Sequence, residues 1–230
     1  MNILSPSEYE IFLLSLKVAS WSVAISLPLS LYTAWLLSRC EFYGQLIFDA
    51  LVHLPLVVPP VVVGYVLLLL FGQQGPIGIF LNDMLGITVA FNWKGAAIAS
   101  AVMAFPLMVR AIRLSFQSVD EGVEEAAATL GASPIRVFFT ITIPMISPGL
   151  MVAAILGFAR SLGEFGATIT FVSNISGETR TLPLALFTQI QTPGGDTAAI
   201  RLLVISVTLA IGALIASEFM ARRIARRVKG

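Results

Sequence analysis

A chain of 230 residues with 57% hydrophobic and 12% charged residues, and a mean hydropathy of +0.91, is too apolar for an ordinary soluble domain and reads as a polytopic membrane protein. Its net charge of +1 gives no sign of a nucleic-acid partner. The single cysteine, Cys40, excludes an internal disulfide, and the single histidine, His53, leaves no cluster with metal-ligand spacing.

At the N-terminus, MNILSPSEYEIFLLSLK lacks the basic region of a signal peptide, so the first apolar span is expected to stay in the mature protein. A membrane-crossing helix needs about 20 apolar residues, fewer where flanking cations reach outward. Five charge-free runs meet that need: Val18 to Ser38, Leu54 to Gln74, Gly95 to Val109, Val137 to Ala159 and Leu202 to Ser217. The second holds Pro55, Pro59 and Pro60, which remove backbone donors and should break or strongly kink the helix. The third carries Pro106, and the fourth Pro144 and Pro148. A further apolar run, Phe165 to Gly177, is too short to span and is expected to be re-entrant or interfacial. His53, beside Pro55 in an apolar run, is expected to be a membrane-interface residue rather than a base.

Lysine and arginine in the connections set the orientation. Arg222, Arg223, Arg226, Arg227 and Lys229 place the tail 219–230 in the cytoplasm. Counting back through five spans puts residues 1–10 outside, as an external segment without lysine or arginine. The loop from Arg110 to Arg136 then falls inside and the loop from Gly72 to Trp93 outside.

That inner loop carries Asp120, Glu121, Glu124 and Glu125 within six residues. Ser118 and Glu121 form an S-x-x-E capping box, which predicts a helix from about Val119. Gly131 is placed to end it, and Ser133-Pro134 to start the next helix as N-cap and first residue. At about 18 Å the helix cannot cross a bilayer. One reading is a surface helix lying on the membrane. The inner leaflet is anionic, however, and interfacial helices are usually basic. Docking of a soluble partner is the preferred reading, with the small Ala126, Ala127 and Ala128 allowing close approach. Glu124 lies on a different face and is expected to matter less.

The residues Glu125-Ala126-Ala127, then Gly131, then Ile141 and Pro144 resemble the EAA loop of ABC importer permeases, with Ile143 where that family usually has leucine. The stretches HLPLVVPPVVVGY, MAFPLMVRAIRLSF and RSLGEFGATITFVSNISGETRTLPLALFTQIQTPGG resemble the molybdate permeases of the family along nearly the whole chain. Sulfate and thiosulfate permeases share the Gly163 to Gly166 element and match less well beyond it. The resemblance implies an all-α membrane protein with the type I ABC importer fold over residues 11–218. It would have about five transmembrane helices, a short cytoplasmic coupling helix in a loop at about 118–134, and a re-entrant or external segment. It also implies a subunit of the bacterial inner membrane, in contact with lipid, that pairs with a second copy. Two ATPase subunits would bind ATP and Mg below, and an extracytoplasmic molybdate-binding protein would sit above. The chain has no G-x-x-x-x-G-K-[ST] phosphate loop, so no cofactor is expected in it and ATP hydrolysis is assigned to the partner. The implied function is molybdate import, with tungstate, or sulfate and thiosulfate, as alternative cargo.

Pro59 and Pro60 are candidate path-lining positions, because broken membrane helices are tolerated where they face protein or a watery cavity. Thr168, Thr170, Ser173 and Asn174 join them as hydrogen-bond donors that an oxyanion could pass without being trapped. A structured external loop is the equal alternative for that segment. An ion-gradient-driven transporter fits less well, since the charge-free runs hold no acid and five spans do not divide into equal repeats. A scaffold without transport would explain the docking helix but not the proline cluster.

Overall fold

The computed structural model describes residues 5–228, with the side chains of Glu121, Ser217 and residues 220–228 outside the description. Arg222, Arg223, Arg226, Arg227 and Lys229, on which the expected tail rests, therefore lie outside the described side chains.

The first helix, α1, runs from Pro6 to Arg39. Its start is fixed locally: the Ser5 hydroxyl accepts from the Glu8 N–H at 3.3 Å, and the Glu8 carboxylate accepts from the Ser5 N–H at 2.7 Å. One face of α1 carries Ser15, Ser22, Ser26 and Ser30, all buried. Between membrane helices the surrounding lipid is as apolar as leucine, so association relies on close packing of small residues and on interhelical hydrogen bonds. The serines supply both. Ser22 pairs with Ser161 at 2.7 Å, Ser26 donates to the Ala101 carbonyl at 3.3 Å, and Ser15 accepts from the Leu182 N–H at 2.8 Å.

The second expected span is two helices, α2 (Gln45–Val57) and α3 (Pro60–Phe71), bent by 112° at the break. Pro59 and Pro60 deliver the interruption expected of them. A short α4 (Pro76–Leu85) precedes α5 (Trp93–Gln117), whose alanine-rich surface packs at the centre against α1 and the later helices. Then come α6 (Glu121–Thr129), α7 (Pro134–Val137), a π-helical turn over Phe138–Thr142, and α8 (Ile143–Leu162). The chain ends with α9 (Gly166–Val172), α10 (Leu182–Gln191) and α11 (Asp196–Val228). Among the described residues four helices are long and apolar enough to cross a membrane, or five crossings if α2 and α3 count as one.

Direction follows from the contacts. The Lys17 ammonium sits 3.7 Å from the centre of the Trp93 ring, and Trp21 lies against Trp93, so α1 and α5 start at the same end. Arg39, at the far end of α1, meets Glu124 of α6. Arg201 near the start of α11 reaches Glu8 at 2.9 Å, which returns the last helix to the Trp93 end.

Two expectations are corrected. The run Gly95 to Val109 is only the core of α5, which continues past Arg110 to Gln117, so no end must snorkel to complete the span. Ser118 is not the cap of the acidic helix. Ser118 instead closes α5, its hydroxyl donating to the Ser115 carbonyl at 2.7 Å. Val119 is buried in the same cluster as Ile112 and Phe116, so the chain must leave the helix there. Asp120 is the N-cap, accepting from the Gly122 N–H at 2.9 Å.

Candidate functional site

The acidic helix α6 is short, exposed and sharply ended. The Ala132 N–H reaches back to the Ala127 carbonyl at 3.1 Å, and the Gly131 N–H to Ala128 at 3.0 Å. That is a Schellman closure, and it requires the left-handed conformation that Gly131 adopts at φ 86°. Ser133 and Pro134 then start α7 as expected, the serine hydroxyl accepting from the Arg136 N–H. Glu125 and Ala126 are exposed, whereas Ala127 is half-buried. Around them stand the apolar side chains of Leu130 (89% exposed), Ile135 (73%) and Phe139 (65%). An apolar crest with acidic flanks suits a protein partner rather than an anionic membrane surface.

Glu124, set aside on sequence grounds, ties α6 to the spans. Its Oε2 lies 3.1 Å from Arg39 Nη2, and its Oε1 accepts from the Thr142 hydroxyl. Thr142 is the last residue of the π-helical turn, and Ile141 lies in that turn one residue before it. The turn has a cause in Pro144. Proline lacks an N–H and its ring crowds the carbonyl four residues back, which a wider turn accommodates. α6 is thus tied to the foot of α8 through Thr142 and to the end of α1 through Arg39. Beside this link lies an apolar groove of about 730 Å³ walled by Tyr32, Trp35, Ile135 and Phe138.

At the opposite end two interrupted helices meet. Gly166 presses on Pro60, and a Cβ on Gly64 would lie 2.5 Å from the Ala167 carbonyl oxygen. This brings α9 against α3 directly after the α2–α3 break. Pro59 and Pro60 are exposed at the break, and Thr170 is half-buried with its hydroxyl donating to the Gly166 carbonyl at 2.9 Å. The other path candidates are placed differently. Thr168 is 1% exposed and faces the interior of the protomer, so it lines no surface. Asn174 is held in loop architecture, donating to Thr188 at 2.8 Å and accepting from Arg180 at 2.9 Å. Ser173 stands exposed at the head of the same loop, which Thr179 braces by accepting from the Ile175 N–H and donating to the Ser173 carbonyl. The run Phe165 to Gly177 is therefore a short buried helix followed by a structured loop.

His53 sits in α2 with its Nδ1 3.1 Å from Asp49, whose other oxygen meets Arg113 at 3.1 Å and moors α2 to α5. Sequence reasoning also missed Arg160 and Glu164, which pair at 2.7 Å where α8 ends. Their i,i+4 spacing was visible, but nothing local announced that the carboxylate is buried.

The sequence profile of the family described as binding-protein-dependent transport system inner membrane component matches residues 26–230. The molybdenum transport system permease protein ModB of Escherichia coli K12 is 59% identical over 220 residues, covering 96% of both chains. The sulfate transport system permease protein CysT of Salmonella typhimurium is 35% identical over 225 residues, covering 96% of this chain and 78% of that one. In structure, a bacterial ABC transporter involved in the import of the acidic polysaccharide alginate superposes with a TM-score of 0.70 at 15% identity, covering 99% of this chain and 82% of that one. The last likeness establishes the fold, an ABC importer transmembrane domain. The chain belongs to the family of binding-protein-dependent transport system inner membrane components.

Proposed function

We propose that this chain is the pathway-forming permease subunit of an ATP-driven importer that carries molybdate, and tungstate with it, into the cytoplasm. Two copies enclose the path. Residues 11–218 form the transmembrane domain. The α6 end faces the cytoplasm, where the tail 219–230 also lies, and residues 1–10 face outside with the Trp93 end. Each copy presents its coupling loop to one ATPase subunit, which binds ATP and Mg and supplies the hydrolysis. An extracytoplasmic molybdate-binding protein delivers the anion to the opposite end. Glu125, Ala126, Ala127 and Gly131 form the docking surface, and Ile141 and Pro144 shape the turn that passes its movement into α8.

The observation that carries the transport reading is the acidic helix α6, capped on both sides, exposed on its apolar crest and tied through Glu124 to two spans. Such a part takes in force from a soluble partner and delivers it to membrane helices. The cargo rests on relatedness: 59% identity to a molybdenum permease against 35% to a sulfate permease, at equal coverage of this chain.

The test is uptake into vesicles holding this chain with its ATPase, supplied with loaded binding protein outside and ATP inside. Molybdate should accumulate only with hydrolysable ATP, and sulfate should compete weakly. Accumulation driven by an ion gradient without ATP would remove the reading, as would ATP hydrolysis by the chain free of its partner.

A further inference from the structure

One ion pair, Arg160 with Glu164, lies at the outer edge of the apolar layer and takes no part in the coupling loop. Ser161 is hydrogen-bonded to Ser22 at 2.7 Å. Ser22 stands five residues, about 7.5 Å of helix, inward from Lys17, whose ammonium rests on Trp93 at the outer end. Arg160 lies beside Ser161, and Glu164 follows just past the end of α8, so the pair sits at the inner edge of the aromatic and cationic belt that Trp21, Trp93 and Lys17 mark.

The two partners are satisfied unequally. Glu164 is 3% exposed, and both carboxylate oxygens are engaged: Oε2 by Arg160 Nη1 at 2.7 Å, Oε1 by the Ala167 N–H at 2.9 Å. The Arg160 side chain is 30% exposed. A guanidinium carries five N–H donors, and among the described residues Glu164 is the partner of Arg160. Part of the Arg160 side chain is therefore open at the surface of the chain. A cation at the edge of the apolar layer faces other protein or water rather than lipid tails. The pair also adjoins the place where Gly166 presses on Pro60 and the two broken helices meet.

We propose that Arg160 is the group on which the tetrahedral oxyanion rests transiently in the path between two copies, and that Glu164 sets how weakly it is held. This rests on the transport reading above. The planar guanidinium fork matches two oxygens of a tetrahedral dianion. A lone arginine would bind too tightly for release, and conduction requires sites that are easily left. Glu164 cancels the charge of Arg160 before the anion arrives and repels the anion once it is seated. The site recognises tetrahedral oxyanions as a class and leaves the choice among molybdate, tungstate and sulfate to other parts of the system.

The experiment uses the full complex in vesicles with ATP inside. Labelled molybdate uptake and ATP hydrolysis are measured together as loaded binding protein is raised. Wild-type vesicles that take up no molybdate would overturn the transport reading itself, before any variant is considered. With wild type active, the double variant R160Q/E164Q keeps a hydrogen-bonded neutral pair, and the ATP hydrolysed per molybdate moved should rise at least tenfold. E164Q leaves the cation uncompensated and should lower the maximal uptake rate several-fold while lowering the half-saturating concentration. R160K keeps the charge without the fork and should lose several-fold in uptake. Wild-type stoichiometry in R160Q/E164Q would make the pair purely structural and overturn the inference. If the double variant fails to assemble, R160K decides, and wild-type uptake by it would overturn the inference equally.

Discussion

Truncating Glu124 to alanine should leave the ATPase bound and the transport lost. The carboxylate makes two contacts, one with Arg39 at 3.1 Å and one with the Thr142 hydroxyl. The side chains of Arg39 and Glu124 are 15% and 21% exposed, so water screens the pair only in part. A hydrogen bond to a charged group contributes about 1.5–3 kcal/mol and exposure reduces that, so a loss of about 2–3 kcal/mol is expected for the link as a whole. At 1.4 kcal/mol per tenfold, the equilibrium constant for holding α6 to the spans falls roughly 30- to 140-fold. The partner surface is untouched, because Ala126, Leu130 and Ile135 are exposed while Glu124 is turned to Arg39 and Thr142. Co-purification of the ATPase should therefore stay within about twofold of wild type. ATP hydrolysis per molybdate imported should rise more than tenfold. Glu124→Ala with wild-type stoichiometry would refute the link, and lost co-purification would show that Glu124 belongs to the docking surface instead.

Ala126→Trp adds bulk on an exposed face, so the melting of the solubilised chain should hold while ATPase co-purification and uptake fall together; retained co-purification would remove the docking role. A Cβ added at Gly131 would meet no atom within 4 Å, so the cost of Gly131→Val comes mainly from forcing a β-branched residue to φ 86°, about 1–2 kcal/mol, and weakened ATPase binding should be partly restored in Gly131→Asn. Gly64→Leu would drive a side chain into the Ala167 carbonyl 2.5 Å away, separating α3 from α9; uptake should fall at least tenfold, and normal uptake would show that this contact is not part of the path. Accessibility tags should report the cytoplasm after Gly230 and the outside before Met1, and a report of both tags on one side would break the five-crossing topology.

What could be read in advance was whatever local chemistry decides. Charge-free runs marked the spans because lipid tolerates little else. Pro59-Pro60 marked the break because two adjacent prolines remove successive N–H donors, whereas the single Pro28, Pro55, Pro106 and Pro148 stay inside helices, and Gly131 marked the end of α6 because glycine adopts that conformation most cheaply. The start of α6 was misplaced because Ser118 and Asp120 are both good caps, and the burial of Val119 against Ile112 and Phe116 chooses between them. Thr168 looked like a path donor by composition, but its side of α9 is set by packing against α3 and α5. The Arg39–Glu124 link was invisible for the same reason, since it joins segments with no common periodicity.

The serine face of α1 has a consequence for how the protein is made. Ser22 finds its partner Ser161 only 139 residues later in the chain. At a synthesis rate of about 5–20 residues per second, α1 waits roughly 7–30 s with hydroxyls that lipid cannot satisfy. Those hydroxyls can turn back on their own helix, as Ser15 does toward the Ile11 carbonyl, but the snug seat against α5 and α8 does not yet exist. α1 is thus made well before the helices that seat it, and in the interval it depends on the insertion machinery or on its own backbone for shelter.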